Sequence, residues 1–240
     1  MKITKELLRE KGACAAGYRD FLKEFPEEKY PEGVEYQDLL DCCAEKNFSY
    51  GSWLLGVFGR TDDVRKVDGD LFTEKSIIFA GRLEVSGNIK AGSGIEAGSG
   101  IEAGCGIKAG WGIEAGCGIK AGEGIEAGCG IKAGWGIKAG WGIKAGEGIE
   151  AGWGIKAGWG IKAGEGIEAG SGIEAGCGIE AGCGIEAGWG IKAGEGIEAG
   201  CEFGIYAGLR VRITSECRKI IAKTKPENIM CGEYVEAKDE

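Results

Sequence analysis

An isoleucine recurs every six residues from Ile89 to Ile197, and this hexad constrains the fold more than any other feature of the chain. The unit is Gly-Ile-(Lys/Glu)-Ala-Gly-x and occurs nineteen times, the first copy carrying Asn88 in place of Gly. The same period continues backward, less regularly, through Leu83, Ile77 and Leu71. A short repeat of fixed period indicates a solenoid, in which similar units stack on one another.

Within each hexad, Ile and Ala lie two positions apart with a charged residue between them. Alternate residues of a strand point to opposite faces, so Ile and Ala face one side and Lys or Glu faces the other. The strand is about three residues long and ends at Gly-x-Gly. We expect the two glycines to turn the corner because glycine adopts backbone angles that other residues avoid.

A helix or a disordered chain accounts for this pattern less well. Each glycine costs a helix about 1 kcal/mol relative to alanine, and every hexad has two. High glycine and charge content favours disorder, but nineteen isoleucines at one phase are typical of a buried core. The sequence therefore predicts a mainly β fold, a single-stranded β-solenoid of stacked coils.

The length of one coil is left open between two values. Three hexads make a triangular coil of 18 residues, and two hexads make a flattened coil of 12 residues. We favour the triangular coil, which gives a rod of about 40 Å with strands ~4.8 Å apart, against about 60 Å for the thinner form.

The composition changes at both ends of the repeat, which predicts three regions. Residues 1–62 are expected to form a small α-helical domain, with helices at residues 3–10, 13–25 and 35–46 and a fourth, short apolar piece at residues 53–58. This domain is interpreted as a cap on the first coil or as an adaptor for a partner. Residues 63–215 form the solenoid, in which residues 209–213 alternate as a closing strand. Residues 216–240 form a C-terminal cap and a polar tail that frays from residue 224.

The position x of the hexad varies among Trp, Cys, Glu and Ser. No single interior site accepts all four, so x is predicted to face outward at a corner. Exposed apolar side chains tend to mark contacts, which suggests a surface for a protein partner or for further copies of the chain. The alternative is that each indole covers the glycine-rich backbone of the neighbouring coil. The six candidate binding residues are Trp111, Trp135, Trp141, Trp153, Trp159 and Trp189.

The charged position of the hexad holds nine Lys and ten Glu between residues 90 and 198. Mixed charge keeps a rod soluble and discourages edge-to-edge pairing of strands. The net charge of the whole chain is −9, which argues against binding to nucleic acid, since that requires a basic face. A mimic of nucleic acid would need a continuous acidic row, and Lys132, Lys138 and Lys144 interrupt such a row along the sequence.

The residue types that usually carry out catalysis are scarce in this chain. It has eleven cysteines and no histidine, so a cysteine nucleophile would lack its usual base. Without histidine or a Cys-x-x-Cys pair, we expect no metal and no cofactor. We therefore predict that the chain is not an enzyme.

The sequence also predicts the compartment. The odd count of cysteines is typical of reduced thiols. No stretch approaches the roughly 18–20 apolar residues of a membrane span, and the N-terminus does not have the apolar segment of a secretory signal. We therefore expect a cytoplasmic protein that does not enter a membrane.

Three parts of the chain resemble known families. The hexad shares its period and its aliphatic anchor with the left-handed hexapeptide solenoids of acyltransferases, whose fourth residue after the anchor is small and faces inward. Here that position holds residues such as Trp111 and Glu123, so the hand of the coil stays open. Residues 83–92 resemble the bactofilin-type right-handed β-helix of polymer-forming bacterial proteins. Residues 12–26 resemble a small helical module found ahead of repeat tracts in uncharacterised bacterial and prophage proteins.

These observations together predict a non-catalytic structural or protein-binding solenoid. It would present the corner tryptophans and the Lys/Glu positions to a partner or to itself, as a homo-oligomer. The alternative is a phage-type inhibitor that occludes a nucleic-acid-binding host enzyme, which the acidity and the prophage-like N-terminal module suggest.

Overall fold

The computed structural model describes residues 1–200, 204–209 and 218–237. Its N-terminal part contains four helices and a short antiparallel pair of strands, Lys2–Ile3 with Val34–Glu35. The helices are α1 (Lys5–Glu10), α2 (Ala15–Glu24), α3 (Tyr36–Lys46) and α4 (Gly51–Phe58). The predicted helical region is confirmed, with helix ends shifted by no more than a few residues. None of the helices in the described residues has the length and apolarity needed to cross a bilayer.

The rest of the described chain forms three parallel sheets that run along a solenoid of about nine coils. Sheet I has eight strands, sheet II has nine and sheet III has ten. The strands of sheet I are Leu71–Thr73, Ile89–Ala91, Ile107–Ala109, Ile125–Ala127, Ile143–Ala145, Ile161–Ala163, Ile179–Ala181 and Ile197–Ala199. The strands of sheet II are Ile77–Phe79, Ile95–Ala97, Ile113–Ala115, Ile131–Ala133, Ile149–Ala151, Ile167–Ala169, Ile185–Ala187, Ile205–Ala207 and Ile229–Cys231. The strands of sheet III are Val64–Val67, Arg82–Val85, Ile101–Ala103, Ile119–Ala121, Ile137–Ala139, Ile155–Ala157, Ile173–Ala175, Ile191–Ala193, Lys219–Ala222 and Glu233–Glu236.

Strand pairing settles the length of the coil at 18 residues. Ile107 pairs with Ile89 on one side and with Ile125 on the other, so each strand pairs with the third strand before and after it. The triangular coil is therefore confirmed over the 12-residue form. The isoleucines from Ile89 to Ile191 are at most 1% exposed and the intervening alanines at most 3%, so Ile and Ala fill the interior as predicted.

The glycines of the repeat have a different role from the one that we expected. Among the described residues, none of the glycines between the hexad strands has a positive φ, so the corners do not use backbone angles reserved for glycine. Instead, the first glycine of each Gly-x-Gly lies directly against the backbone of the coil before it. A Cβ at Gly146 would overlap the carbonyl oxygen of Gly128. The second glycine is less crowded, and a Cβ at Gly148 would lie 3.4 Å from the carbonyl oxygen of Gly166.

The helical region packs against the outer side of the first strand of sheet II. Ile78 occupies the outward position that holds Lys or Glu in later coils, and it is buried in the same apolar cluster as Leu40 and Leu54. The amide of Gln37 donates to the carbonyl oxygen of Ile78 at 2.9 Å and accepts from the N–H of Ala80 at 3.0 Å. The helices therefore cover one end of one face of the solenoid.

The C-terminal part continues the sheets beyond the break in the repeat. Ile205 pairs with Ile185, so these two partners are 20 positions apart instead of the usual 18. In sheet III, Ile220 pairs with Ile191, which is 29 positions earlier. Residues that we expected to fray supply the strands Ile229–Cys231 and Glu233–Glu236. The strand predicted at residues 209–213 lies, except for its first residue, outside the described residues.

Candidate functional site

An 18-residue coil sorts the charged positions of successive hexads onto three different faces. Every third hexad contributes to the same sheet, so neighbouring charges in the sequence are separated in space. Sheet I presents a mixed face, formed by Lys90, Lys108, Glu126, Lys144, Lys162, Glu180 and Glu198. Sheet II presents an acidic face, formed by Glu96, Glu114, Lys132, Glu150, Glu168 and Glu186. Sheet III presents a lysine face, formed by Glu102, Lys120, Lys138, Lys156, Glu174 and Lys192.

The lysine face carries an excess of positive charge on a chain that is acidic overall. Two of its lysines form ion pairs along the sheet, Lys120 with Glu102 at 2.6 Å and Lys156 with Glu174 at 2.8 Å. Within the described residues, Lys138 and Lys192 have no carboxylate within ion-pair distance. These two ammonium groups therefore remain available to an external anion.

The acidic face has the opposite character. Its single lysine, Lys132, lies 3.1 Å from Glu150, and this hydrogen bond, together with the charge of Glu150, raises the pKa of Lys132. The charges of Glu114 and Glu168 raise the pKa of Lys132 further. Glu96 lies beneath α4, where the hydroxyl of Ser52 donates to it at 3.0 Å, but burial and the charge of Glu114 raise its pKa. The carboxylates of this face therefore produce a negative potential that only one lysine offsets.

The corner tryptophans are concentrated at the edges of the lysine face. Trp135, Trp153 and Trp189 lie along the edge shared with the acidic face, and Trp141 and Trp159 lie along the edge shared with the mixed face. Trp135 stacks on Trp153 with ring centroids 6.1 Å apart, and Trp141 stacks on Trp159 at 6.4 Å. We call these two sets the first and second tryptophan rows.

The sixth predicted residue, Trp111, lies apart from the other five, at the corner between the mixed and acidic faces. All six indoles are between 51% and 68% exposed. Each of these tryptophans therefore keeps more than half of its surface exposed. The structure brings together five of the six candidate residues and separates Trp111 from them.

The cysteines present mostly single thiols, distributed over several corners. Burial raises the pKa of Cys43 to about 12, and burial followed by the charge of Glu147 raises the pKa of Cys129. The guanidinium of Arg60 donates to the sulfur of Cys117 at 2.9 Å. In the part of the chain that the structure describes, no three or more Cys, Asp or Glu side chains are arranged to hold a metal ion.

Sequence reasoning missed the sorting of charge by face. The three lysines that we expected to interrupt any acidic row, Lys132, Lys138 and Lys144, lie on three different faces. Only Lys132 interrupts the acidic face. The signal was present in the sequence, since reading every third hexad gives each face, but this reading requires the coil length.

Comparisons with known proteins address only the helical region. Residues 1–58 match the family model described as the YdhT N-terminal domain. No curated protein and no solved structure matches the chain. The family match ends at Phe58, before the first solenoid strand begins at Val64.

Proposed function

We propose that this chain is a non-catalytic binding and scaffolding solenoid whose contact surface is the lysine face with its two tryptophan rows. The observation that carries the proposal is the clustering of five largely exposed indoles along the edges of a single face. Exposed apolar patches on soluble proteins mark contact surfaces, because burying them against a partner removes apolar area from water. Lysines between the rows would orient the contact through charge.

The backbone supports this role because it is rigid where the surface is presented. Corner N–H groups donate to the carbonyl of the residue one coil earlier, as Trp153 does to Trp135 and Trp159 to Trp141, both at 3.0 Å. The rows therefore rest on a hydrogen-bond ladder that continues through the corners. A side chain held in this way loses little additional backbone entropy on binding.

Paired substitutions test the proposal. Trp135→Ser with Trp153→Ser, and Trp141→Ser with Trp159→Ser, each remove one stacked pair. We expect both double variants to lose concentration-dependent association in multi-angle light scattering, or to lose a partner captured with the wild-type chain as bait.

The matched control is Trp111→Ser, which removes an equally exposed indole from a different corner. It should behave as the wild-type chain does in both assays. If both double variants retain association and capture, the tryptophan rows are not the contact surface.

A second candidate function is that of a phage-type inhibitor, which would occlude a nucleic-acid-binding enzyme of the host. It is favoured by the acidic face, where Lys132 is the only cation between Glu96 and Glu186 and where Glu147 and Glu165 lie on the adjoining corner. Competition with duplex DNA for a basic enzyme tests it. Binding that does not weaken as salt increases would contradict it, because exposed charges are screened by salt.

Cytoplasmic placement and the resemblances to hexapeptide solenoids and bactofilins remain proposals. The nine cysteines in the described residues are free thiols, which supports a reducing compartment. The structure differs from the acyltransferase pattern, since the fourth residue after the anchor faces outward here and Ala fills the interior. The resemblance of residues 83–92 to bactofilins is supported only by the shared solenoid architecture.

A further inference from the structure

We infer that the helical region binds a small apolar molecule that carries a cationic amino group. The site is a cavity between the four helices, lined by residues from Leu8 of α1 to Leu54 of α4, and we call it the helix cavity. Its volume is about 260 Å³. It shares no lining residue with the lysine face or the acidic face, so the inference goes beyond the proposed function.

The floor of the helix cavity is apolar. Leu8, Phe21, Leu39, Cys43 and Leu54 line it, and each of them is at most 7% exposed. Protein interiors are otherwise close-packed, with few voids larger than a water molecule. An apolar cavity of about 150 Å³ stays dry and accepts benzene. The helix cavity is larger than that, so it has room for a bicyclic ring system such as indole.

A glycine in α2 helps to keep the helix cavity open. Gly17 lines the cavity, although glycine is a poorer helix former than alanine. Its φ is not positive, and a Cβ there would make ordinary contacts, 3.4 Å from the ring of Tyr50 and 3.5 Å from the Sγ of Cys14. Neither the backbone nor the packing therefore requires glycine at this position, and its missing side chain adds to the free space.

Aromatic rings form part of the wall. Phe25, Phe48, Tyr50 and Trp53 line the helix cavity and are half-buried. The rings of Phe48 and Tyr50 lie 5.8 Å apart. An aromatic ring attracts a cation that is placed over its face, and the attraction is stronger where water is excluded. The wall therefore favours a ligand that is apolar and also positively charged.

Two carboxylates one helical turn apart in α2 also line the helix cavity. Asp20 accepts a hydrogen bond from the hydroxyl of Tyr50 at 3.1 Å, and within the described residues no cationic side chain lies within ion-pair distance of it. Glu24 lies 3.6 Å from Lys46. Burial raises the pKa of Cys42, another lining residue, and the charge of Glu24 raises it further. The potential in the cavity is therefore negative.

The combination of these walls selects the class of ligand. Asp20 and Glu24 would repel an anionic group, and a neutral molecule would leave Asp20 without a cation. An amino group on a short arm can donate to Asp20 while its ring system fills the apolar floor. Charge-assisted hydrogen bonds are about twice as strong as neutral ones, so this contact adds both affinity and orientation.

Three probes with the same indole ring test the inference on the full chain. Tryptamine carries an ammonium, indole is neutral, and indole-3-acetate carries a carboxylate at neutral pH. We expect isothermal titration calorimetry to rank their affinities in that order. Tryptamine should bind at least about tenfold more tightly than indole-3-acetate, since the charge-assisted hydrogen bond to Asp20 is replaced by repulsion.

Two substitutions separate the charge of the helix cavity from its volume. Asp20→Asn keeps the shape of the side chain, so it should weaken tryptamine about tenfold and leave the affinity for indole unchanged. Gly17→Leu places a side chain in the free space and should abolish the binding of all three probes. Circular dichroism of Gly17→Leu checks that its helices still form, and Asp20→Asn tests the inference independently of that result.

The matched control is Asp38→Asn, which removes an exposed carboxylate of α3 that does not line the helix cavity. Glu168→Gln removes one charge from the acidic face, where an amine could also be attracted. Both variants should bind tryptamine as the wild-type chain does. A loss of tryptamine binding in Glu168→Gln, with none in Asp20→Asn, would assign the amine to the acidic face and overturn the inference.

Two further results would also overturn it: none of the three probes binds, or tryptamine binds no more tightly than indole. Either result leaves the proposed function standing, because that function is tested by the paired tryptophan substitutions in the solenoid. A failure of the inference is therefore distinguishable from a failure of the proposed function.

Discussion

The two glycines at one corner differ in how closely they approach the coil beneath, and this difference gives a sharp prediction. A Cβ at Gly146 would lie more than 1 Å inside the 3.0 Å limit below which real Cβ contacts are essentially never found, and the atom it meets is a backbone carbonyl oxygen. This oxygen cannot rotate away as a side chain can. A Cβ at Gly148 would make an ordinary contact at 3.4 Å.

We therefore expect Gly146→Ala to destabilise the solenoid by about 3 kcal/mol. Overpacking of this kind costs about 1–3 kcal/mol, and separating the coils also weakens the hydrogen bond from Gly146 to Ala127, worth about 1 kcal/mol. At about 2–4 °C per kcal/mol, the Tm should fall by about 6–12 °C. Gly148→Ala should change stability by less than about 1 kcal/mol, and in the stabilising direction if the unfolded chain loses entropy.

Thermal and urea unfolding of the two single variants measure this difference. The control is built into the pair, because both replace a glycine of the same corner by alanine and flank the same residue. If Gly146→Ala is as stable as Gly148→Ala, close backbone stacking is not the reason for the first glycine, and the account of the corner is wrong.

Three further predictions concern the core, the helical region and the thiols. Ile149→Ala should reduce stability by about 2–5 kcal/mol in urea unfolding, because the side chain is 1% exposed; a change below about 1 kcal/mol would argue against a dry interior. The pKa of Glu96 is raised above 4.5 by burial, so its ionisation destabilises the folded chain as the pH rises above that value; Glu96→Gln should therefore increase the Tm at pH 7 and have little effect at pH 3. Iodoacetamide at neutral pH should modify the exposed Cys14 and leave Cys43, whose pKa is about 12, unmodified in mass spectrometry of the folded chain; modification of Cys43 without unfolding would contradict its burial.

The fold could be predicted from the sequence because every hexad has the same pattern of apolar, charged and glycine positions. Ile and Ala at a separation of two define the inner face of a strand, and nineteen repetitions leave few alternatives. The positions of the helices were also predictable, since glycine and proline mark their ends. The prediction was wrong near the C-terminus, where it expected a frayed tail. Strands there, such as Ile229–Cys231, form by pairing with strands that are distant in the sequence, and no local pattern marks them.

The structural role of the glycines and the distribution of the charges over the three faces could not be predicted from the sequence alone. The sequence does not distinguish a glycine that is required for a positive φ from a glycine that is required to make room for a neighbouring carbonyl. The structure decides between them through distances between residues 18 positions apart, such as Gly146 and Gly128. Likewise, Lys132 and Lys138 are neighbours along the repeat but belong to different surfaces.

Successive hexads contribute strands to the three sheets in turn, so the number of repeats determines which side chains each face carries. The deletion of one hexad leaves every Ile and Ala in phase, so the interior closes as before. All later side chains, however, turn by a third of a revolution, and a lysine that lay between tryptophans moves to another side of the prism. Only the gain or loss of hexads in multiples of three keeps each later side chain on its original face. A repeat tract that readily changes length could therefore change the residues presented on each face without unfolding.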